Sequence, residues 1–305
     1  MPDSTGLFGV LNIHKQPGMT SRDVVTRVQR LIRPGKCGHA GTLDPMATGV
    51  LLVGIGPATR LIPILQEGTK CYVAEFILGQ VSDTDDNTGR IVHRPDPEVL
   101  PTREQISAVL ESMLGTISQI PPAFSAVHVN GTRAYSLARR GEDVILDAKT
   151  VSIHSIELLC YEWPRLELRI ECGSGTYVRS IARDLGDSLG TGGLMSRLER
   201  TRVGNFEIRN AIDVELLTKE NIAELVCPAI RIVENLPMFD CTPEDIASLL
   251  CGRSLFCQPD RFRGRAVDEC ELRVAITGNQ FTELLALAEF GADGRLQPRT
   301  VFIRS

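Results

Sequence analysis

No window of the 305-residue sequence approaches the roughly 18 consecutive apolar residues of a membrane span. Its start, "MPDSTGLFGVLNIHKQPG", lacks a basic segment followed by a long apolar stretch. These absences argue against membrane insertion and secretion, and the chain reads as cytoplasmic. Nine cysteines are scattered from Cys37 to Cys270 without one C-x-x-C pair, so neither a disulfide framework nor a zinc knuckle is indicated. Cys241, Cys251, Cys257 and Cys270 offer the ligand type for zinc but not the spacing of about two to four residues. "GIGPATR", from Gly54, lacks both G-K-[ST] and a full G-x-G-x-x-G, which argues against nucleotide binding. Its glycines instead turn a strand into a helix opened by Pro57. In "SDTDDNTG", Asp83, Asp85 and Asn87 alternate as in a calcium loop, yet Thr88 and Arg94 stand where Gly and Glu are needed. That segment reads as a hairpin-like polar turn.

With 43% hydrophobic and 23% charged residues, what remains is an ordinary globular composition. The length suits a large unit followed by a small one. Leu7–Ile13, Val50–Val53, Tyr72–Leu78 and Leu166–Cys172 read as strands. Helices are expected over Thr20–Ile32, from Pro57 through Leu65, after the Thr102/Gln105 capping box, and over Val178–Leu189 up to Gly190. A second unit begins near "ENLPMFDCTPEDIASLLCG", where Thr242 caps a helix, Pro243 opens it and Gly252 ends it. Strands Leu272–Thr277, Phe281–Ala288 and Val301–Ile303 follow. The resulting division is residues 1–237 and residues 238–305.

The formal net charge of -5 hides basic clusters. Arg22, Arg27, Arg30, Arg33 and Lys36 form the first, Arg197, Arg200, Arg202 and Arg209 the second, and Arg253, Arg261, Arg263 and Arg265 the third. Each alone reads as a solvated face. In "GHAGTLDPMATGVLLVG", Gly38 to Gly54, Asp44 sits in the loop entering a core strand. By local rules Asp44 before Pro45 is a turn residue and His39 a hydrogen-bonded structural one. No Ser or Cys nucleophile accompanies them, so a hydrolase triad is not supported.

Taken together, "GHAGTLDPMATGVLLVGIGPATR", "KCYVAEFILGQVSDTDDNTG", "QIPPAFSAVHVNGTRAYSLARRG" and "CGSGTYVRSIARDLGDSLGTGGLMSRLERTRVGNF" resemble, in order and spacing, the bacterial tRNA pseudouridine synthase B family. The resemblance covers roughly residues 6 to 235, and "ALAEFGADGRLQPRTVF" is similar to the end of that family's small PUA-related RNA-binding module. It implies an α/β (α+β) pseudouridine synthase fold, with a central mixed, mostly antiparallel sheet flanked by helices and loops. A small β-rich PUA-like module would follow at the C-terminus. The implied activity converts uridine 55 in the T loop of tRNA to pseudouridine, without cofactor, metal or guide RNA, by a monomer.

Asp44 matches the family's catalytic aspartate, which attacks the flipped nucleotide at C6 of uracil or C1′ of ribose. Arg179 matches its arginine partner, and a close guanidinium favours the ionised form a nucleophile needs. Tyr72 matches the ring that stacks on the target base and assists proton transfer at C5. Tyr177 and Leu198 match uracil contacts, His39 the residue beside the flipped base, and Lys15 a lysine of the N-terminal motif. Here the chain departs from the family's usual Asp-Lys-Pro, with His14 and Gln16 flanking Lys15. Phe124 in "PPAFSA" replaces a usual Tyr. A non-catalytic tRNA-binding or tRNA-folding protein on the same scaffold is the alternative, and intact Asp44, Tyr72 and Arg179 weigh against it. A guide-RNA-dependent synthase would be expected to bring partner-binding extensions, and there is no lysine-rich tail. With an RNA substrate the first two basic clusters become candidate RNA contacts.

Overall fold

The computed structural model describes residues 6–125, 127–129, 132–138, 140–141, 145–264, 273–291 and 293–303. The N-terminal part runs β1 (Gly9–Lys15), α1 (Ser21–Leu31), β2 (Cys37–Ala40), β3 (Thr48–Ile55), α2 (Ile62–Glu67), β4 (Lys70–Leu78), β5 (Gln80–Ser82), β6 (Ile91–His93), α3 (Arg103–Ser112) and β7 (Gly115–Gln119). A small hairpin β8/β9 (His128–Val129, Thr132–Arg133) and α4 (Ala134–Ala138) lead to β10 (Lys149–Glu162), β11 (Arg165–Cys172), α5 (Val178–Ser188) and β12 (Gly193–Val203). Short pieces β13 (Phe206–Glu207), β14 (Ile212–Asp213), α6 (Ile222–Leu225) and β15 (Cys227–Pro228) close this part. The rest is β16 (Met238–Asp240), α7 (Pro243–Leu250), β17 (Leu255–Phe256), β18 (Phe262–Arg263), β19 (Arg273–Gly278), β20 (Glu283–Phe290) and β21 (Arg295–Val301).

One sheet has the order β14-β1-β3-β12-β4-β11-β10-β7, with only β1·β14 and β12·β3 parallel along that path. This is the mixed, mostly antiparallel sheet implied above. Strand β3 carries a continuous apolar run, and β1 is buried at every position but His14, because both faces of each are covered. Leu11, Ile13, Leu51 and Val53 pack into one core, while Val10, Val50 and Leu52 face a second. Strand β4 instead alternates, burying Lys70, Tyr72, Ala74, Phe76 and Leu78 and leaving the residues between them half-buried. Gly49, at φ 101°, lets β3 cross β12 closely, since a Cβ there would lie 2.2 Å from the Arg200 carbonyl oxygen.

Strands β16–β21 form a second, six-stranded sheet. Its core is Phe239, Leu249, Val274, Ile276, Ala286 and Leu296, with neighbours. Its outer side joins the second core of the main sheet through Met238, Ala275, Leu284 and Phe302. Phe302 lies 4.9 Å from Phe8, centroid to centroid, and the Arg60 guanidinium sits 4.7 Å above its ring. Arg273 and Glu67 add an ion pair at 2.8 Å.

The caps expected at Thr102 and Thr242 are present as capping boxes with Gln105 and Asp245 at N3, and Thr20 closes a third with Asp23. Three expectations need correction. The stretch from Pro57 begins as a 3-10 turn, Gly56–Leu61, and becomes α-helical only at Ile62. The final strand is Arg295–Val301 rather than Val301–Ile303, because Pro298 stands where the ladder register shifts and so does not break it. The second arginine cluster is not a free basic face. Arg200 is buried, and Arg197, Arg202 and Arg209 pair with Glu167, Glu171 and Glu207. Cys270, Arg265 and Leu272 lie outside the described residues. Among the described residues no helix is long and apolar enough to cross a membrane.

Truncating Phe302 to Ala should cost roughly 3 to 5 kcal/mol, the range for a buried Phe, and loosen the second sheet from the first. Urea unfolding of the variant checks this; an unchanged midpoint would mean the ring does not hold the two sheets together.

Candidate active site

Asp44 lies in the Gly41–Ala47 loop between β2 and β3, and two buried cations fix that loop. Behind it, Lys15 donates from Nζ to the carbonyls of Gln16 (3.0 Å), Met19 (2.8 Å) and Pro45 (3.2 Å). Burial pushes Lys15 down to about 8, against the pull of Asp44. In front, Arg200 donates to Val50 O (2.7 Å), Gly41 O (3.2 Å) and Thr42 O (3.5 Å). Ser21 clasps Leu43 through both N–H and C=O. The carboxylate therefore projects from a loop whose backbone has little freedom.

Arg179, in the first turn of α5, meets that carboxylate with Nε to Oδ2 at 3.1 Å and Nη2 to Oδ1 at 3.4 Å, a two-pronged pair. Its other donors reach Asp86 Oδ2 (3.4 Å), Thr84 O (3.1 Å) and Phe124 O (3.2 Å). The start of α5 is itself anchored by Gln119, which accepts from Tyr177 N and donates to Tyr177 O. Asp86 is held by Thr84 and Thr88. Burial raises the pKa of Asp44, the Arg179 guanidinium opposes the rise, and the like charge of Asp86 adds to it. The result is a half-buried carboxylate aimed by one guanidinium, the condition for a carboxylate nucleophile.

A cleft of about 330 Å³ opens over this pair. Tyr72, Tyr177 and Leu198 line it together with Asp44 and Arg179. Tyr72 is buried, and burial lifts its hydroxyl pKa against the charge of Arg200. Burial likewise raises Tyr177. Phe124, which stands where the family usually has Tyr, also lines the cleft. His39 and Lys15 do not line it. His39 is on β2, half-buried, with its Nδ1 unpartnered and its pKa lowered first by burial and then by Arg200.

Three further residues of the site were not singled out from the sequence. Asp86 falls in "SDTDDNTG", set aside as a turn; it is a hairpin loop between β5 and β6, but one folded back onto Arg179. Arg200 looked like one member of a surface cluster. Lys70 precedes Tyr72 by two residues, so the alternation of β4 already places both on one face.

An Asp86→Asn variant removes the like charge while leaving a similar shape. The pH–rate profile should show its acid limb at lower pH than wild type, because Asp44 loses the group that raises its pKa. The rate itself should fall by up to about 100-fold, as Arg179 loses an anchor and the pair shifts. An acid limb moved upward would contradict the arrangement.

Comparison with known proteins matches residues 29–178 to the TruB family pseudouridylate synthase N-terminal domain and residues 179–229 to the tRNA pseudouridylate synthase B C-terminal domain. A tRNA pseudouridine synthase B from Microcystis aeruginosa is 42% identical over 82% of this chain and 85% of its own length. One from Syntrophomonas wolfei is 37% identical over 97% of this chain and 99% of its own. Among solved structures, a Cbf5-Nop10-Gar1 complex matches with a TM-score of 0.75 and 27% identity, covering 97% of this chain and 85% of the other. An H/ACA RNP bound to a substrate RNA containing 2'-deoxyuridine matches with a TM-score of 0.74 and 26% identity over the same shares. The chain belongs to the TruB family of pseudouridylate synthases.

Proposed function

We propose that this chain converts uridine 55 in the T loop of tRNA to pseudouridine, acting as a cytoplasmic monomer without guide RNA, with Asp44 as its nucleophile. The coarser statement follows from family membership: the chain is a tRNA pseudouridine synthase, an isomerase. The reaction breaks the C1′–N1 bond and makes a C1′–C5 bond, with no net oxidation, so it consumes no redox partner. The observation that carries the finer reading is the Asp44–Arg179 pair beneath a cleft walled by Tyr72.

In this reading the target nucleotide is flipped into the cleft and stacks on Tyr72, a contact worth about 1 to 3 kcal/mol. That is comparable to the few kcal/mol needed to unstack it. Tyr177 and Leu198 close on the uracil, His39, outside the cleft, takes the space the flipped base leaves, and Lys15 holds the Asp44 loop from behind. Arg22, Arg30, Arg33 and Lys36, exposed on and after α1, are the cations we assign to the tRNA backbone. Arg27 in the same row pairs with Glu215 at 2.6 Å. Residues 238–305 are assigned as a further RNA-binding module.

Tritium release from a tRNA transcript labelled at C5 of uridine tests the assignment. Wild type alone, with no added RNA or protein, should release label, and Asp44→Ala should not while still binding tRNA. Equal background from both would contradict catalysis by Asp44, and activity only with a second RNA would contradict the guide-free reading. Binding should weaken log-linearly with salt, and replacing Arg30 and Arg33 together by Ala should reduce that slope by about 1 to 2.

A further inference from the structure

We propose that Lys70 is a catalytic residue that stabilises the negative charge on the uracil ring while its bond to ribose is exchanged; this rests on the site reading given above. Lys70 opens β4, two residues before Tyr72, so both side chains project from the same buried face of that strand. It is only 6% exposed, and it lines the cleft that Asp44, Tyr72 and Arg179 also line. Its ammonium donates to Gln66 O and forms no ion pair among the described residues. The charged and titratable groups around it are Arg200, a like charge, the Cys172 thiol across the ladder on β11, and Glu67. Glu67 is engaged by Arg273 at 2.8 Å and is 56% exposed.

A buried cation without an anion is costly and is normally paired or lost. Here two such cations, Lys70 and Arg200, line one cleft. The dominant neighbours of Asp44 are Arg179, Asp86 and Lys15, a set that does not overlap with those of Lys70. The carboxylate therefore has its own counter-ion, and the charge at Lys70 remains available for an anion that arrives with the substrate.

The reaction supplies that anion by either route open to Asp44. If the carboxylate attacks C1′, the C1′–N1 electron pair leaves on the base, giving a uracilate with charge spread over N1, O2 and O4. If it adds to C6, the displaced C5=C6 electrons come to rest as an enolate on O4. On the first route C5 then displaces the carboxylate from C1′; on the second the C1′–N1 bond breaks, C5 bonds to C1′ and the carboxylate is eliminated from C6. In both, Asp44 is released, the proton of C5 is lost and N1 gains one, so charge and atoms balance. A fixed ammonium in a poorly hydrated cleft acts on such transient charge as oxyanion-hole donors do.

Single-turnover kinetics of the full chain on a tRNA transcript tests this with Lys70→Met and Lys70→Arg. Lys70→Met should slow the chemical step on the order of 100-fold with tRNA affinity unchanged. Lys70→Arg should recover much of that rate. Wild type should lose rate as pH rises through about 8, where Lys70 loses its proton, and the Arg variant, in which only Lys15 still titrates there, should lose less. The Met defect should also shrink on a target 5-fluorouridine, whose ring carries negative charge more easily. An unchanged chemical step in Lys70→Met would overturn the proposal. So would weakened tRNA binding with intact chemistry, which would assign Lys70 to a backbone phosphate. Should the Met variant not fold, the pH profiles of wild type and Lys70→Arg decide, and identical profiles refute the role. Activity retained by Asp44→Ala would mean the site reading itself has failed. An inactive Asp44→Ala beside a fully active Lys70→Met would sink only the role of Lys70.

Discussion

Everything in this active site hangs on one guanidinium. Arg179 is almost wholly buried, and its donors reach Asp44, Asp86, Thr84 and Phe124, which belong to three separate loops. Those loops are the entry to β3, the β5–β6 turn and the segment after β7. No one of them is regular structure, so none could hold a carboxylate to within a fraction of an ångström by itself. Charge-assisted bonds from a single planar group make them act as one rigid element. The same guanidinium opposes the rise in pKa that burial imposes on Asp44.

Such a site is costly to fold. Lys15, Lys70, Arg179 and Arg200 are all buried around the Asp44 loop and its cleft. Lys15 and Lys70 both fall to about 8 from 10.5. Between those values the unfolded chain binds protons that the folded chain does not, so their burial penalty is greatest below about pH 8 and fades as pH rises towards 10.5. The doubly covered strands β1 and β3 and the shared core beneath Phe302 supply the stability that offsets this. Functional cations and structural hydrophobics thus share faces of the same few strands: Lys15 follows Leu11 and Ile13 along β1, and Lys70 precedes Ala74, Phe76 and Leu78 along β4.

How much of this could be read from the chain varies by physical cause. Apolar periodicity located β1, β3, β4, β11 and α1, and cap chemistry located the starts of α3 and α7, because those signals are local. Asp44 and Arg179 are 135 residues apart, and nothing local links them. Only the resemblance joined them, and the fold brings them together. Long-range charge pairing also explains the misjudged arginines: Arg200 looks like Arg197 in a composition count, yet one is buried against backbone carbonyls and the other pairs with Glu167 at the surface. Asp86 was hidden for the same reason, in a polar turn whose partner lies across the molecule. Pro298 shows the converse, a local signal against a strand that the register shift of β20 and β21 accommodates.

The most direct test of the central claim is the titration of the Asp44 side-chain carboxyl by carbon-13 NMR, in wild type and in Arg179→Met. If Arg179 holds the charge on Asp44, the methionine variant must titrate at clearly higher pH, since burial then acts unopposed. Superimposable curves for the two proteins would contradict the account.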